Sequence, residues 1–192
     1  MSIAEKRAGA VAETVARVRE IEAREGVTRE ALGHIRDALI ALARRTELFP
    51  PEDSPPPESG ADGRLYRLSE DPDHRFALYL NTATRDKNTP PHDHTTWAVV
   101  VGLRGEEHNR IYECAGEDAV RLAREVTVRP GTGVCLMPDD IHSIHMDGDA
   151  VKMHLHMHGV AIPQQTRRRR FEPDGGWRHF APHPDIRPAP ET

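Results

Sequence analysis

Apolar residues recur every three or four positions in the first part of the chain. Between Ala4 and Arg24 these positions are Val11, Val15, Val18 and Ile21. Gly26 can end this segment, and Thr28 can cap a second one, whose apolar positions are Leu32, Ile35, Leu39 and Leu42. This spacing predicts two amphipathic helices. Their apolar faces need a cover, and we expect them to pack on one side of the domain that follows rather than on a partner.

From Arg64 onward the pattern changes to short apolar or alternating segments separated by turn residues. The turns include Asp71-Pro72-Asp73, Arg129-Pro130-Gly131 and Asp147-Gly148-Asp149. The candidate strands are Leu65–Leu68, Arg75–Thr82, Trp97–Leu103, His108–Glu113, Leu122–Val128, Gly133–Met137, His142–Met146 and Val151–His158. Short strands at this spacing predict a mainly β fold, an antiparallel sandwich or barrel. The helices before Glu47 are expected to lie outside it.

Two further segments differ in composition from these elements. Residues 50–63 are rich in Pro, Glu, Ser and Gly, which predicts a loop or linker. The tail from Arg167 opens with four arginines and ends in Pro-rich sequence. We therefore divide the chain into N-terminal helices (1–49), a loop (50–63), a barrel (64–166) and a C-terminal extension (167–192). At 192 residues, these parts are expected to form one domain with a substantial core.

Composition narrows the classes of partner and compartment. A net charge of -5 argues against a general affinity for nucleic acid or an anionic membrane. No apolar run approaches the roughly 18 residues of a membrane span, and the first residues lack the apolar core of a signal peptide. The cysteines, Cys114 and Cys135, imply no disulfide framework. We therefore expect a cytoplasmic protein, while its oligomeric state is left open by the sequence.

Most of the 12 histidines lie between His92 and His158. After two prolines, His92-Asp93-His94 opens an apolar run, and residues i and i+2 of an extended strand point to the same face. Neutral imidazole is the commonest metal ligand among side chains. A second proline turn leads into another strand at His142, which can supply a third ligand. The pattern therefore predicts a metal site made by His92, His94 and His142.

The identity of the metal is not determined by these ligands alone. Three neutral nitrogen ligands leave open positions on a six-coordinate ion, as an oxygen-activating iron requires. They would equally suit catalytic zinc, manganese or nickel. A further cluster, His154-Leu155-His156-Met157-His158, alternates with a period of two and would place three more imidazoles on one strand face. These three either serve the site or fill a polar barrel interior.

Four motifs carry a resemblance to a known family. They are His92-Asp93-His94-Thr95, Leu103-Arg104-Gly105, Asp140-Ile141-His142 and Leu155-His156-Met157-His158-Gly159. With them, the stretch from about Tyr66 to Gly159 resembles the cupin superfamily and, within it, the cysteine dioxygenase family of thiol dioxygenases. General cupins often carry a carboxylate four or five residues after the second histidine. Ala98 and Val99 stand there, which fits the three-histidine iron site of thiol dioxygenases.

The resemblance implies a cupin double-stranded β-helix, or jelly-roll barrel, with the N-terminal helical pair outside it. It also implies one Fe(II) and the oxidation of a small carboxylate-bearing thiol, such as cysteine or 3-mercaptopropionate, to its sulfinic acid with O2. Many members have a Ser-x-His-x-Tyr network beside the iron; here His154, His156 and His158 occupy those positions. A Cys–Tyr crosslink found in some members cannot form, because Val99 and His158 stand at the two positions.

The family also supplies an arginine, from the strand before the metal motif, that binds the substrate carboxylate. Arg67 matches this position and Arg64 is the second candidate; arginine offers a bidentate fork for a carboxylate. The run Arg167 to Arg170 is either a solvated patch or sends one member into the pocket mouth. Two other functions stay open: a metal-binding cupin without catalysis, and a cupin metalloenzyme of another reaction type.

Overall fold

The computed structural model describes residues 1–58, 63–84, 87–116, 119–148, 150–180 and 185–191. Parts of the predictions therefore lie outside the described residues: 59–62 of the loop 50–63, Asp149 of the third turn, and 181–184 and 192 of the C-terminal extension. The described residues include two α-helices, α1 (Ile3–Glu25) and α2 (Arg29–Ala43). None of the described helices has an apolar stretch long enough to cross a membrane.

Both helices begin where a side chain satisfies their free backbone N–H groups. Ser2 and Glu5 form a reciprocal capping box at the start of α1. The Thr28 hydroxyl accepts a hydrogen bond from the Ala31 N–H, as its N-cap position predicted. Each helix buries its apolar stripe, including Val18 and Leu39. The two predicted helices are therefore confirmed.

The β structure follows the predicted strands closely. In chain order the strands are β1 (Arg64–Ser69), β2 (Arg75–Ala83), β3 (Lys87–Asn88), β4 (Ala98–Arg104), β5 (Glu107–Gly116), β6 (Ala119–Val128), β7 (Gly133–Leu136), β8 (Ile141–Met146), β9 (Lys152–Val160), β10 (Arg169–Phe171), β11 (Trp177–His179) and β12 (Ile186–Pro188). All eight predicted strands are present at nearly the predicted bounds. The remaining four, β3 and β10 to β12, have only two or three residues each, too few to show a period.

The strand order is that of a jelly roll. One sheet has the order β12-β1-β2-β9-β4-β7, a second has the order β3-β8-β5-β6, and β10 pairs with β11. Strands far apart in sequence are thus neighbours, as in the two Greek keys of a double-stranded β-helix. Pairing among β1 to β9 is antiparallel, as predicted, whereas β12 joins β1 in parallel.

Alternate residues of the large sheet serve two different cores. On β4, Val99 and Val101 pack with the helices, whereas Ala98 and Val100 pack with Ile111 of the facing sheet. The helices therefore cover the outer face of the six-stranded sheet, as expected. The inner face looks toward the four-stranded sheet and carries the histidines of β9.

A polar contact fixes α1 to the start of β4. The Trp97 indole N–H donates to Glu22 Oε2 over 2.9 Å, and Arg75 pairs with the same carboxylate. Gly159 makes room for the indole, because a Cβ there would lie 2.5 Å from Trp97 Nε1. Trp97 is accordingly a buried anchor between the helical layer and the segment that carries His94.

Candidate metal centre

Backbone pairing places the two metal-motif segments directly opposite each other. The His92 N–H donates to the His142 carbonyl over 2.8 Å, and the His142 N–H donates back over 2.9 Å. On the other side, the Phe171 N–H donates to the Pro91 carbonyl over 2.7 Å. The His-x-His segment is therefore an extended piece held between β8 and β10. Its extended form points both imidazoles to one side, as the spacing predicted.

The three predicted ligands converge inside the fold. One nitrogen each of His92, His94 and His142 lies within 4.8 Å of the other two, and all three residues are buried. The Nε2 atoms of His94 and His142 are 2.8 Å apart. Two nitrogens about 2.1 Å from one octahedral ion, at right angles, are about 3 Å apart. An N–H···N hydrogen bond has a similar length, so the 2.8 Å distance by itself does not indicate a metal site. The evidence for a group that could hold a metal ion is the convergence of all three donors.

Hydrogen bonds behind the ligands set which ring nitrogen faces the site. His92 Nδ1 lies 3.0 Å from the Pro90 carbonyl, and His142 Nδ1 lies 2.9 Å from Asn109 Oδ1. Because a carbonyl oxygen can only accept, Nδ1 carries the proton in both rings and Nε2 keeps the lone pair. Asn109 is itself oriented by donating from Nδ2 to Glu107 Oε1 over 2.9 Å.

The environment favours the neutral imidazole that binds metal. Burial, followed by the charge of Arg168 and the neighbouring histidines, holds the pKa of His94 well below its usual value. A ligand that is already deprotonated releases no proton when a metal binds. Among the described residues the ligand group contains histidines only. Ala98 and Val99, where general cupins often place a carboxylate, are fully buried in apolar surroundings.

The three histidines of β9 do not share one role in the structure. His158 adjoins the metal ligands, with its ring centre 5.1 Å from that of His94. His156 and His154 follow along the strand, with ring centres 6.4 Å from His158 and 6.5 Å from His156 respectively. His154 Nδ1 and His156 Nε2 each lie 3.9 Å from Glu107 Oε2. The structure thus brings His158 next to His94 and places His154 and His156 near the buried carboxylate of Glu107.

Arg168 is the cation next to the ligands. Its side chain is buried, lies 4.6 Å above the Phe180 ring, and makes a long contact of 3.4 Å from Nε to the Asp93 carbonyl. Burial lowers the pKa of Arg168 to about 10, partly offset by Asp93, so the group is charged at neutral pH. Its charge also contributes to the lowered pKa of His158, about 3, after burial.

The two arginines expected to bind substrate are each paired with a carboxylate in the structure. Arg67 is about half exposed, with 45% of its side-chain surface accessible, and pairs with Glu70 at 2.9 Å. Arg64 pairs with Asp185 at 3.1 Å. Both lie on β1, which β2 separates from β9. Sequence distance from His92 does not reveal this intervening strand, and neither guanidinium contacts the three ligands among the described residues.

Sequence reasoning missed Glu107 and Asn109 as site residues, and it left open whether a member of the run Arg167 to Arg170 enters the pocket without identifying Arg168. Glu107 and Asn109 lie on the same inward face of β5 as Ile111. Polar residues at inward positions of a strand could have indicated that they belong to a site. Arg168 was hidden in a run of four similar residues. Its place is set by Asp93, whose buried carboxylate accepts from the Arg169 backbone N–H over 3.0 Å and from Arg169 Nε over 2.9 Å.

No family model matches the chain. Similar solved structures include a cupin family protein with a double-stranded β-helix fold from Methanocaldococcus jannaschii. It is 9% identical, with a TM-score of 0.41, over 54% of this chain and 85% of its own. A cupin superfamily protein from Desulfitobacterium hafniense DCB-2 is 11% identical, with a TM-score of 0.42, over 60% and 87%.

An oxalate oxidase in complex with the substrate analogue glycolate is also similar in structure. It is 12% identical, with a TM-score of 0.44, over 56% of this chain and 55% of its own. The match thus spans about half of the oxalate oxidase chain. Identities this low concern the course of the backbone alone, and the chemistry of the site rests on the residues described above.

Proposed function

We propose that this protein is a non-haem Fe(II) thiol dioxygenase that oxidises a small carboxylate-bearing thiol, such as cysteine or 3-mercaptopropionate, to its sulfinic acid. One observation carries the proposal: among the described residues His92, His94 and His142 converge without a carboxylate, and the buried cation Arg168 contacts the backbone of Asp93, which stands between His92 and His94. Iron held by such a set would supply oxygen activation and bind the substrate as its thiolate. The overall reaction adds both atoms of O2 to sulfur and needs no further reductant.

Arg168 has the properties of a carboxylate receptor. The one hydrogen bond that its guanidinium makes among the described residues, to a backbone carbonyl, is long, and the carboxylate of Asp93 accepts hydrogen bonds from Arg169. A buried guanidinium gains most from a bidentate carboxylate, since water does not screen the pair. Arg168 would therefore orient the substrate so that its sulfur reaches the three-histidine site. The stacked Phe180 restricts the guanidinium plane.

Thiol-dependent oxygen uptake by the iron-loaded protein tests the proposal. We expect O2 consumption with cysteine, 3-mercaptopropionate or another carboxylated thiol, and one sulfinate formed for each O2 consumed. Cysteamine, which lacks the carboxylate, should be a poor substrate. If no small thiol supports uptake, the proposal fails, and the site belongs to a binding protein or to a cupin metalloenzyme of another reaction type.

An arginine series tests the carboxylate receptor. Replacing Arg168 by Gln should raise KM for carboxylated thiols at least tenfold, because each charge-assisted hydrogen bond contributes about 1.5–3 kcal/mol. KM for cysteamine should change little. The matched controls are Arg167→Gln, at an exposed neighbour, and Arg67→Gln, at the residue first expected in this role. Equal KM changes for both thiol classes in the Arg168 variant would remove Arg168 from this role.

A further inference from the structure

Gln165 connects the end of β9 to the ring of His158. It follows the short helical turn Ile162–Gln164, and only 2% of its surface is exposed. Its Nε2 donates to the Val160 carbonyl over 2.7 Å and lies 3.3 Å from His158 Nδ1. Because the Val160 carbonyl oxygen can only accept a hydrogen bond, the atom of Gln165 that contacts it must be the amide nitrogen. The same nitrogen therefore also faces His158 Nδ1.

This orientation determines the tautomer of His158. An amide NH2 has two protons and no acceptor, so the second proton of Gln165 Nε2 points to Nδ1. Nδ1 must then carry the lone pair, and the ring proton of the neutral imidazole sits on Nε2. Two of the three predicted ligands, His92 and His142, have the opposite arrangement, with the proton on Nδ1. His158 is therefore set up as a donor and not as a fourth ligand.

We propose that Gln165 is a positioning residue that keeps the proton of His158 on Nε2, so that His158 donates a hydrogen bond to an anion or substrate atom bound beside His94. His158 Nε2 is buried, and no protein acceptor reaches it among the described residues. Its ring adjoins that of His94. The Tyr79 ring meets that of His158 edge-on, with 6.1 Å between the ring centres, and its hydroxyl accepts a hydrogen bond from the Ile162 N–H over 3.2 Å.

The inference deepens the proposed function, on which the catalytic meaning of the donor rests, but the tautomer itself is independent of activity. Nitrogen-15 NMR of histidine-labelled, zinc-loaded protein reads it directly, with the His158 signals assigned by their loss in His158→Phe. We expect a protonated Nε2 and an unprotonated Nδ1 in the wild type. Gln165→Leu should remove this preference, and Gln165→Glu should move the proton to Nδ1, because a carboxylate only accepts.

The exposed neighbour Gln164 provides the matched control. Gln164→Glu introduces the same charge one residue away and should leave the His158 tautomer unchanged. A wild-type ring protonated on Nδ1 would overturn the inference. An unchanged tautomer in both folded Gln165 variants would overturn it as well.

Azide binding to the cobalt-loaded protein, followed by visible absorption, reads the donor function. Azide should bind about five- to tenfold more weakly to Gln165→Leu than to the wild type, as expected for one lost hydrogen bond. Gln164→Glu should bind azide like the wild type, and equal azide affinity in the Gln165→Leu variant would refute the donor role. These readouts separate the two proposals: without thiol-dependent O2 uptake the proposed function fails, whereas the tautomer and azide results judge Gln165 alone.

Discussion

Behind His142, Asn109 and Glu107 form a buried chain of hydrogen bonds. Glu107 Oε1 orients the Asn109 amide, and Asn109 Oδ1 accepts from His142 Nδ1. Such partners fix the tautomer and the direction of a ligand ring. Asn109→Ala should therefore weaken metal binding about 10- to 100-fold, as measured by competition with a chelator. Asn88→Ala removes an exposed asparagine from β3 and should leave the affinity unchanged; equal affinities in the two variants would contradict this role.

Tyr79 gives the stability a defined pH dependence. Burial raises its pKa to about 12 from the ordinary value of 10.0. The folded state thus favours the neutral phenol, and the unfolded chain loses its proton first as the pH rises. This contribution is complete below pH 10 and is lost between pH 10 and about 12. At pH 11 the wild type should have lost about 1–1.5 kcal/mol of unfolding free energy relative to Tyr79→Phe.

Urea unfolding of both proteins at pH 8 and pH 11 measures the Tyr79 effect. Arg168, with a pKa of about 10, and the other basic groups titrate in both proteins, so the difference isolates the phenol. If the unfolding free energies of the wild type and Tyr79→Phe differ by the same amount at both pH values, Tyr79 ionises as easily in the folded state as in the unfolded one.

For single residues, the sequence allows the convergence of the three histidines to be predicted, but it does not identify the charged group beside them. His92 and His94 are two residues apart in one extended segment, so their common direction follows from strand geometry alone. Arg168 depends on a tertiary contact, the pairing of Asp93 with Arg169. No periodicity distinguishes Arg168 from Arg167 or Arg170, which are its neighbours in the run.

Among the elements, β10 controls the position of Arg168. It is held to the metal segment by the Phe171 N–H on the Pro91 carbonyl and by Asp93 on Arg169. Arg169→Gln would leave the Asp93 carboxylate buried without its charged partner. The backbone amides of Arg169 and Phe171 should then exchange with deuterium about tenfold faster or more.

The exposed pair of Arg178 with Asp174 offers a control on the neighbouring strand. Arg178→Gln removes an arginine of the same hairpin whose ion pair is open to water, where such pairs contribute little. Its exchange rates at Arg169 and Phe171 should match the wild type. Similar acceleration in both variants would mean that the hairpin is loosened generally and that Asp93 does not hold it specifically.

Element prediction succeeded where a segment was long enough to repeat its pattern. Both helices and the eight longer strands show their periods over several residues, and Thr28 marks the start of α2. The short strands β3 and β10 to β12 owe their existence to neighbours across the sheet, as β12 does to β1. The tail from Arg167, rich in arginine, glycine and proline, was therefore interpreted as a C-terminal extension. In the structure, Arg168 and β10 of this tail border the candidate site.

For the whole molecule, the jelly-roll order determines which residues meet. His92, on the segment before β4, faces His142 on β8, and β9, in the six-stranded sheet, carries His158, whose ring centre is 5.1 Å from that of His94. The chain pattern predicted strands and their antiparallel pairing, and the resemblance to cupins implied a jelly roll, whereas the order β2-β9-β4-β7 is seen only in the structure. In that order β2 lies between β9 and β1, the strand that carries Arg64 and Arg67.

The central claim is that one metal ion is held by Nε2 of His92, His94 and His142. Anomalous diffraction at the iron edge, from crystals grown anaerobically with Fe(II), tests it most directly. We expect one anomalous peak per chain, about 2.0–2.2 Å from each of the three Nε2 atoms. No peak at these nitrogens, or a peak at Glu107, His154 and His156 instead, would contradict it.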